Sequence, residues 1–386
     1  MDMKVTDYEL FAVPPRWLFL KIETDSGPVG WGEPIVQGRL ETVRTAVEEL
    51  VEGYLIGTDP RRIEHHNRTL YQGGYFRGGP VLMSALSGID QALWDIAGRH
   101  RGCPVYELLG GHVRERLMVY AWVGGDTPER MAGEAARLVG RGYRAIKLNI
   151  PNSEVRRLET RAGLDRVVDH LEAIRDEVSD DVLVGVDLHG RVPKSMAPRV
   201  IERLEPYDPA FVDQPVLPEH SPAMAELARR TSVPLSTGER LSTRAQFRDL
   251  LEGRSVSAIQ PDVTHVGGIT EMRKIATLAD TYDVAVVPHC PLGPLAFAAS
   301  LQVDFATHST VLQEQDLDLD DPESSIGLQY LENPTAFEFD DGYVERPTGE
   351  GLCIQVDEEY VRERARTDVN WRNPVWHYDD ESIAEW

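Results

Sequence analysis

Val182-Leu183-Val184-Gly185-Val186-Asp187-Leu188-His189 is a short apolar run that ends in an acid and a histidine, and the chain repeats this design. Residues 145–149 end in Lys147-Leu148-Asn149. Residues 210–212 lead into Asp213-Gln214-Pro215, and 235–237 into Glu239-Arg240. The runs 258–260, 285–288 and 311–313 precede Asp262, His289 and Glu314, and residues 118–123 open the series. Asp187, Asp213, Glu239, Asp262, His289 and Glu314 follow one another at intervals of 26, 26, 23, 27 and 25 residues. An amphipathic helical stretch separates each run from the next, so each interval is one βα unit. Eight such units predict an α/β fold, a modified (β/α)8 barrel of TIM type over 116–330, whose strand ends meet at one mouth.

The flanks read differently. Residues 1–115 predict an α+β capping domain. Asp25-Ser26-Gly27-Pro28 turns a hairpin between 18–23 and 29–33, and helical periodicity follows in 41–54, 61–72 and 83–100. In the last, Leu82, Leu86, Ile89, Leu93 and Ile96 form one stripe. No Pro/Ser linker follows Gly110-Gly111, which predicts domains packed together. Residues 331–386 make a hairpin at Asp341-Gly342 and end in a tail with Trp371, Trp376 and Trp386, expected to return to the capping domain. The acidic stretch 316–325 reads as a solvated loop.

The balance of charge narrows the function. The formal net charge is −24, which repels nucleic acid and anionic membrane surfaces alike. Among the 40 cationic residues only Lys4, Lys21, Lys147, Lys194 and Lys274 are lysines. An acid-rich, lysine-poor surface suits a halophile, whose molar salt screens repulsion within a few ångströms. The 3 cysteines are far apart and the first residues lack an apolar leader, which together predict a cytoplasmic protein. No apolar run reaches the length of a membrane span. A homo-oligomer is expected.

The strand ends carry the chemistry. Asp187, Asp213 and Glu239 are three hard oxygen donors on adjacent strands, and burying them together calls for a cation such as Mg²⁺. His189 and His289 stand on opposite sides of the ring and can serve as acid and base, with Asp262 orienting His289. Arg16-Trp17 and the 75–79 loop (Tyr-Phe-Arg-Gly-Gly) are placed to cap the mouth, with interdomain packing as the competing role. Weaker candidates are a phosphate turn at Gly267-Gly268, zinc held by His265, His289 and Cys290, and Cys290 as a nucleophile. His65-His66 reads as solvated surface.

These residues resemble the enolase superfamily, mandelate racemase subgroup. The matching blocks include Pro14-Pro15-Arg16-Trp17, Trp31-Gly32-Glu33-Pro34, Trp122-Val123-Gly124-Gly125-Asp126 and His289-Cys290-Pro291-Leu292-Gly293-Pro294, and they span the whole chain. The resemblance implies Mg²⁺ on Asp187, Asp213 and Glu239, His289 as base with Asp262 as its partner, and His189 as acid. It implies that Glu314 hydrogen-bonds the developing ene-diolate and that Lys147 and Asn149 line the substrate site, which Arg16 and Trp17 cap. The expected reaction is dehydration of a sugar acid to a 2-keto-3-deoxy acid, with D-galactonate first and D-gluconate second. A silent barrel that binds sugar acids is the alternative of a different class. One departure stands out: Asp213-Gln214-Pro215 replaces the usual Glu-Glu-Pro, leaving the middle ligand one methylene short.

Overall fold

In a computed structural model describing residues 3–151, 160–366, 369 and 371–385, Gly27 turns the hairpin expected at 25–28 at φ +105°, a conformation that favours glycine. The hairpin joins β2 (Trp17–Thr24) to β3 (Gly30–Gly32), and β1 (Val5–Val13) pairs antiparallel with β2 on its other side. Helices α1 (Leu40–Tyr54), α2 (Ile63–Gln72), α3 (Pro80–Arg101) and α4 (Val105–Leu108) follow. A Cβ on Gly32 would stand 2.1 Å from the Gly88 carbonyl oxygen, so the β3 backbone lies directly on α3. Leu86, Ile89, Leu93 and Ile96 are buried along α3, but Leu82, in its first turn, is 39% exposed. His66 departs from the surface reading: its Nε2 lies 2.8 Å from the Asp59 carbonyl oxygen, and the ring is buried.

The barrel then runs β4 (Arg116–Val123), α5 (Pro128–Gly140), β5 (Ala145–Asn149), α6 (Arg161–Glu177), β6 (Leu183–Asp187), α7 (Ala197–Leu204), β7 (Phe211–Asp213) and α8 (Ser221–Ala228). It continues with β8 (Leu235–Thr237), α9 (Arg244–Glu252), β9 (Ala258–Ile259), α10 (Gly268–Thr281), β10 (Ala285–Val286), α11 (Pro294–Phe305) and β11 (Gln313–Glu314). Strands β4 to β10 are parallel neighbours in chain order. β11 pairs with β4, and Thr310 bridges to Val286, so the ring closes. The eighth strand falls slightly later than the sequence suggests, and Val311 is exposed.

Two contacts weld the capping domain to the barrel. Asp90 on α3 accepts from the Thr270 amide at 3.0 Å and from Asn67 at 3.0 Å, while Ser87 Oγ accepts from Gly267 and Gly268. Gly267-Gly268 is thus a packing turn. Glu33, fully buried, accepts from the amides of Gly293 at 2.7 Å and Ala296 at 3.0 Å. A capping-domain carboxylate thereby satisfies free N–H groups at the start of α11, the helix that follows His289.

After the barrel, β12 (Phe339–Asp340) and β13 (Tyr343–Glu345) form a hairpin through Asp341-Gly342, and β13 pairs antiparallel with β4. Helix α12 (Glu358–Arg364) reaches back to β1 through Arg362–Glu9 and the Arg366 amide on Ala12. Trp371 then lies against Arg16 of the capping domain, and Trp376 against Arg191 of the barrel, each at 5.4 Å. Trp386 lies outside the described residues. The acidic stretch is only partly solvated: Leu317 and Leu319 are buried, and Asp320 accepts from Tyr143 at 3.0 Å.

Candidate active site

Sheet register sets the carboxylates side by side. Asn149 is opposite Asp187, Asp187 opposite Asp213, and Asp213 opposite Ser236, so successive strands deliver polar side chains at one level of the ring. Asp187 and Asp213 are fully buried. Between them lies the Lys147 ammonium, 3.3 Å from Asp187, 3.3 Å from Asp213 and 3.4 Å from Glu314. Burial works against that charge, but Glu314 and the two aspartates outweigh it and keep Lys147 protonated.

One ammonium does not saturate these acids. Asp187 Oδ2, Glu239 Oε2 and Glu314 Oε1 are buried oxygens without a hydrogen-bond partner among the described residues. Ligand atoms of Asp187, His189 and Glu239 lie within 4.8 Å of one another. Hard oxygens, buried and met only by Lys147 Nζ and His289 Nε2 at 3.3 to 3.4 Å, suit a divalent cation. Asp213 stands apart from that group: Ser236 Oγ donates to its Oδ1 at 3.0 Å, and its Oδ2 faces Lys147. Burial and the neighbouring Asp187 raise the pKa of Asp213. Glu239 is held low despite its burial, because His289 and His189 face it.

The two histidines flank Glu239. His289 Nδ1 is 2.7 Å from Asp262 Oδ2, and its Nε2 is 3.4 Å from Glu239 Oε2. With Asp262 accepting from Nδ1–H, Nε2 is the atom that can take a proton. Burial pushes the imidazole down, yet Glu239, Glu314 and Asp262 bring it up to about 10. His189 is the opposite case, lowered by burial to about 4. Its backbone sits at φ +50°, with its amide on Asp187 Oδ1 at 2.6 Å.

The remaining sequence candidates separate clearly. Glu314 Oε2 accepts from the Cys290 amide at 3.0 Å, and its Oε1 faces the Lys147 ammonium at 3.4 Å. Asn149 Oδ1 accepts from Arg191 at 3.5 Å. Arg16 lies near Asp316, just beyond Glu314. Trp17 takes the packing role, buried against Phe19 and Tyr330. Tyr75 and Phe76 are 94% and 89% exposed, their rings edge to face with each other. Cys290 is buried with its thiol pushed well up, which disfavours the thiolate a nucleophile requires. Among the described residues no zinc cluster forms from His265, His289 and Cys290. Trp122, Ser236 and Arg191 are contacts that the spacing of charged residues does not reveal.

Residues 14–110 match the mandelate racemase/muconate lactonizing enzyme N-terminal domain, and residues 130–360 match the enolase C-terminal domain-like family. The chain belongs to the mandelate racemase/muconate lactonizing enzyme family of the enolase superfamily. Within it, the chain is 47% identical to a D-galactonate dehydratase of Ralstonia nicotianae and 44% to one of Cronobacter sakazakii, each over the full length of both chains. Among solved structures, an enolase from Agrobacterium radiobacter with sodium and L-malate bound superposes with a TM-score of 0.89 at 31% identity, covering 99% of each chain. A mandelate racemase/muconate lactonizing enzyme from Sulfitobacter gives 0.89 at 28% identity over the whole of both chains.

Proposed function

We propose that the protein is a hydro-lyase that dehydrates a sugar acid, with D-galactonate as its first substrate, to the 2-keto-3-deoxy acid. The observation that carries this reading is the placement of two histidines on either side of buried carboxylates whose oxygens lack a hydrogen-bond partner. Full-length identity to D-galactonate dehydratases supports the choice of substrate. Asp187 and Glu239, with Asp213 as third ligand, would hold a divalent cation, Mg²⁺ for preference. Held there, it would neutralise the substrate carboxylate and so acidify the proton at C2.

The chain's own residues do the rest. His289 Nε2 takes the C2 proton, and its electron pair forms the ene-diolate. Glu314 hydrogen-bonds the developing ene-diolate. His189, once protonated, gives that proton to the 3-hydroxyl, which leaves as water, and the enol product tautomerises to the ketone. Lys147 keeps the carboxylates together, and Asn149 and Arg16 border the substrate. D-gluconate is the second candidate, because it shares the C2 configuration of D-galactonate. A screen of aldonates with Mg²⁺, read as 2-keto acid formed, is expected to single out D-galactonate. Uniform inactivity would favour a barrel that binds sugar acids without turnover.

Salt adaptation and a cytoplasmic location belong to the same proposal. Among the described residues no helix is long and apolar enough to cross a membrane. Lys21 and Lys147 are buried in ion clusters, and Lys274 bridges Glu64 and Glu271, so Lys4 and Lys194 are the exposed lysines. A net charge of −24 then repels itself across a surface with few lysine counter-charges. The thermal midpoint is expected to rise steadily from low to molar KCl, as screening shortens the range of that repulsion. A flat or falling midpoint would remove salt adaptation.

A further inference from the structure

The two histidines are secured in different ways. Asp262 fixes the ring of His289. The backbone of His189 is pinned: its amide donates to Asp187, its carbonyl accepts from Arg240, and the Gly190 amide donates to the Gln214 carbonyl at 2.7 Å. Its imidazole is not. Nδ1 is buried without a partner, and Nε2 is 3.9 Å from Asp187 Oδ2, beyond hydrogen-bond reach.

What the imidazole does have is Trp122. The two rings lie 8° from parallel with centroids 5.9 Å apart, an offset stack. Trp122 is itself anchored. It sits near the end of β4 opposite Lys147, whose ammonium is 4.3 Å from the indole centroid and is held by three carboxylates. A contact chain thus runs from the buried acids through Lys147 and Trp122 to His189.

We propose that Trp122 is the positioning residue for His189, holding the imidazole in the plane from which it delivers a proton to the leaving hydroxyl. This rests on the dehydratase reading above. A parallel stack resists tilting of the ring by the side-chain rotations that the pinned backbone leaves to it. His289 does not touch Trp122 in this way, so proton removal at C2 should survive its loss.

Proton NMR of D-galactonate with Mg²⁺ in D₂O reads both steps in one sample, as loss of the C2 proton and as keto acid formed. Trp122→Ala should lose C2 protons within about threefold of the wild-type rate, while forming keto acid roughly 30- to 100-fold more slowly. Trp122→Phe, which restores a ring face, should recover keto-acid formation to within about tenfold. If Trp122→Ala fails to fold, Trp122→Leu replaces it: both Leu and Phe fill space, but only Phe stacks. Parallel loss of both signals, or equal behaviour of the Leu and Phe variants, overturns the proposal in favour of a packing role. A wild type that leaves the C2 proton in place with every aldonate removes the dehydratase reading, and this inference with it.

Discussion

His289→Asn is expected to leave the C2 proton of the aldonate in place and to form no measurable keto acid, a loss of about 10³- to 10⁴-fold. The reason lies in the pairing of His289 with Asp262 at 2.7 Å, which makes it the group on that face whose free nitrogen can accept a proton. Burial alone would weaken this base, but Glu239, Glu314 and Asp262 raise it to about 10. His189→Asn should differ in kind. It should still exchange the C2 proton with D₂O and yet form almost no keto acid, because His189 acts only when the hydroxyl leaves. The reverse pattern would mean that the two roles are assigned the wrong way round.

Glu239→Gln is expected to weaken Mg²⁺ binding by roughly 100-fold in calorimetry and to abolish turnover. Glu239 Oε2 is buried, lacks a hydrogen-bond partner, and shares its cluster with Asp187 and His189, so an amide there removes charge where a cation needs it. Asp213→Ala should cost less, about tenfold in affinity, since Ser236 and Lys147 already engage both of its oxygens. Unchanged Mg²⁺ affinity in Glu239→Gln would place the cation elsewhere. Unchanged affinity in Asp213→Ala would leave binding to Asp187 and Glu239 without a third carboxylate.

The barrel and the polar ring at its mouth are legible because each βα unit repeats at nearly constant length. Asp187, Asp213, Glu239, Asp262, His289 and Glu314 are recognisable from that interval together with the apolar run before each. Strand β1 is not, since its buried and exposed residues fall in blocks and give no period of two. His66 misleads because it shares the buried side of α2 with Ile63 and Asn67, where its ring meets the Asp59 carbonyl. Contacts across the ring are the least legible part. Trp122 reads as another aromatic in a strand, and nothing in its spacing reveals that it stacks on His189. Lys147 reads as a residue at a strand end, whereas the closed ring makes it the shared counter-charge of Asp187, Asp213 and Glu314. Both depend on barrel curvature bringing together side chains from different strands.

The most direct measurement is proton NMR of D-galactonate incubated with the wild-type protein in D₂O, with and without Mg²⁺. With Mg²⁺, the C2 proton signal should disappear as signals of the 2-keto-3-deoxy acid rise, and chelation of the metal should stop both. A C2 signal that persists at saturating Mg²⁺, with no keto acid formed, would contradict the assignment of His289 and the carboxylate cluster to aldonate dehydration.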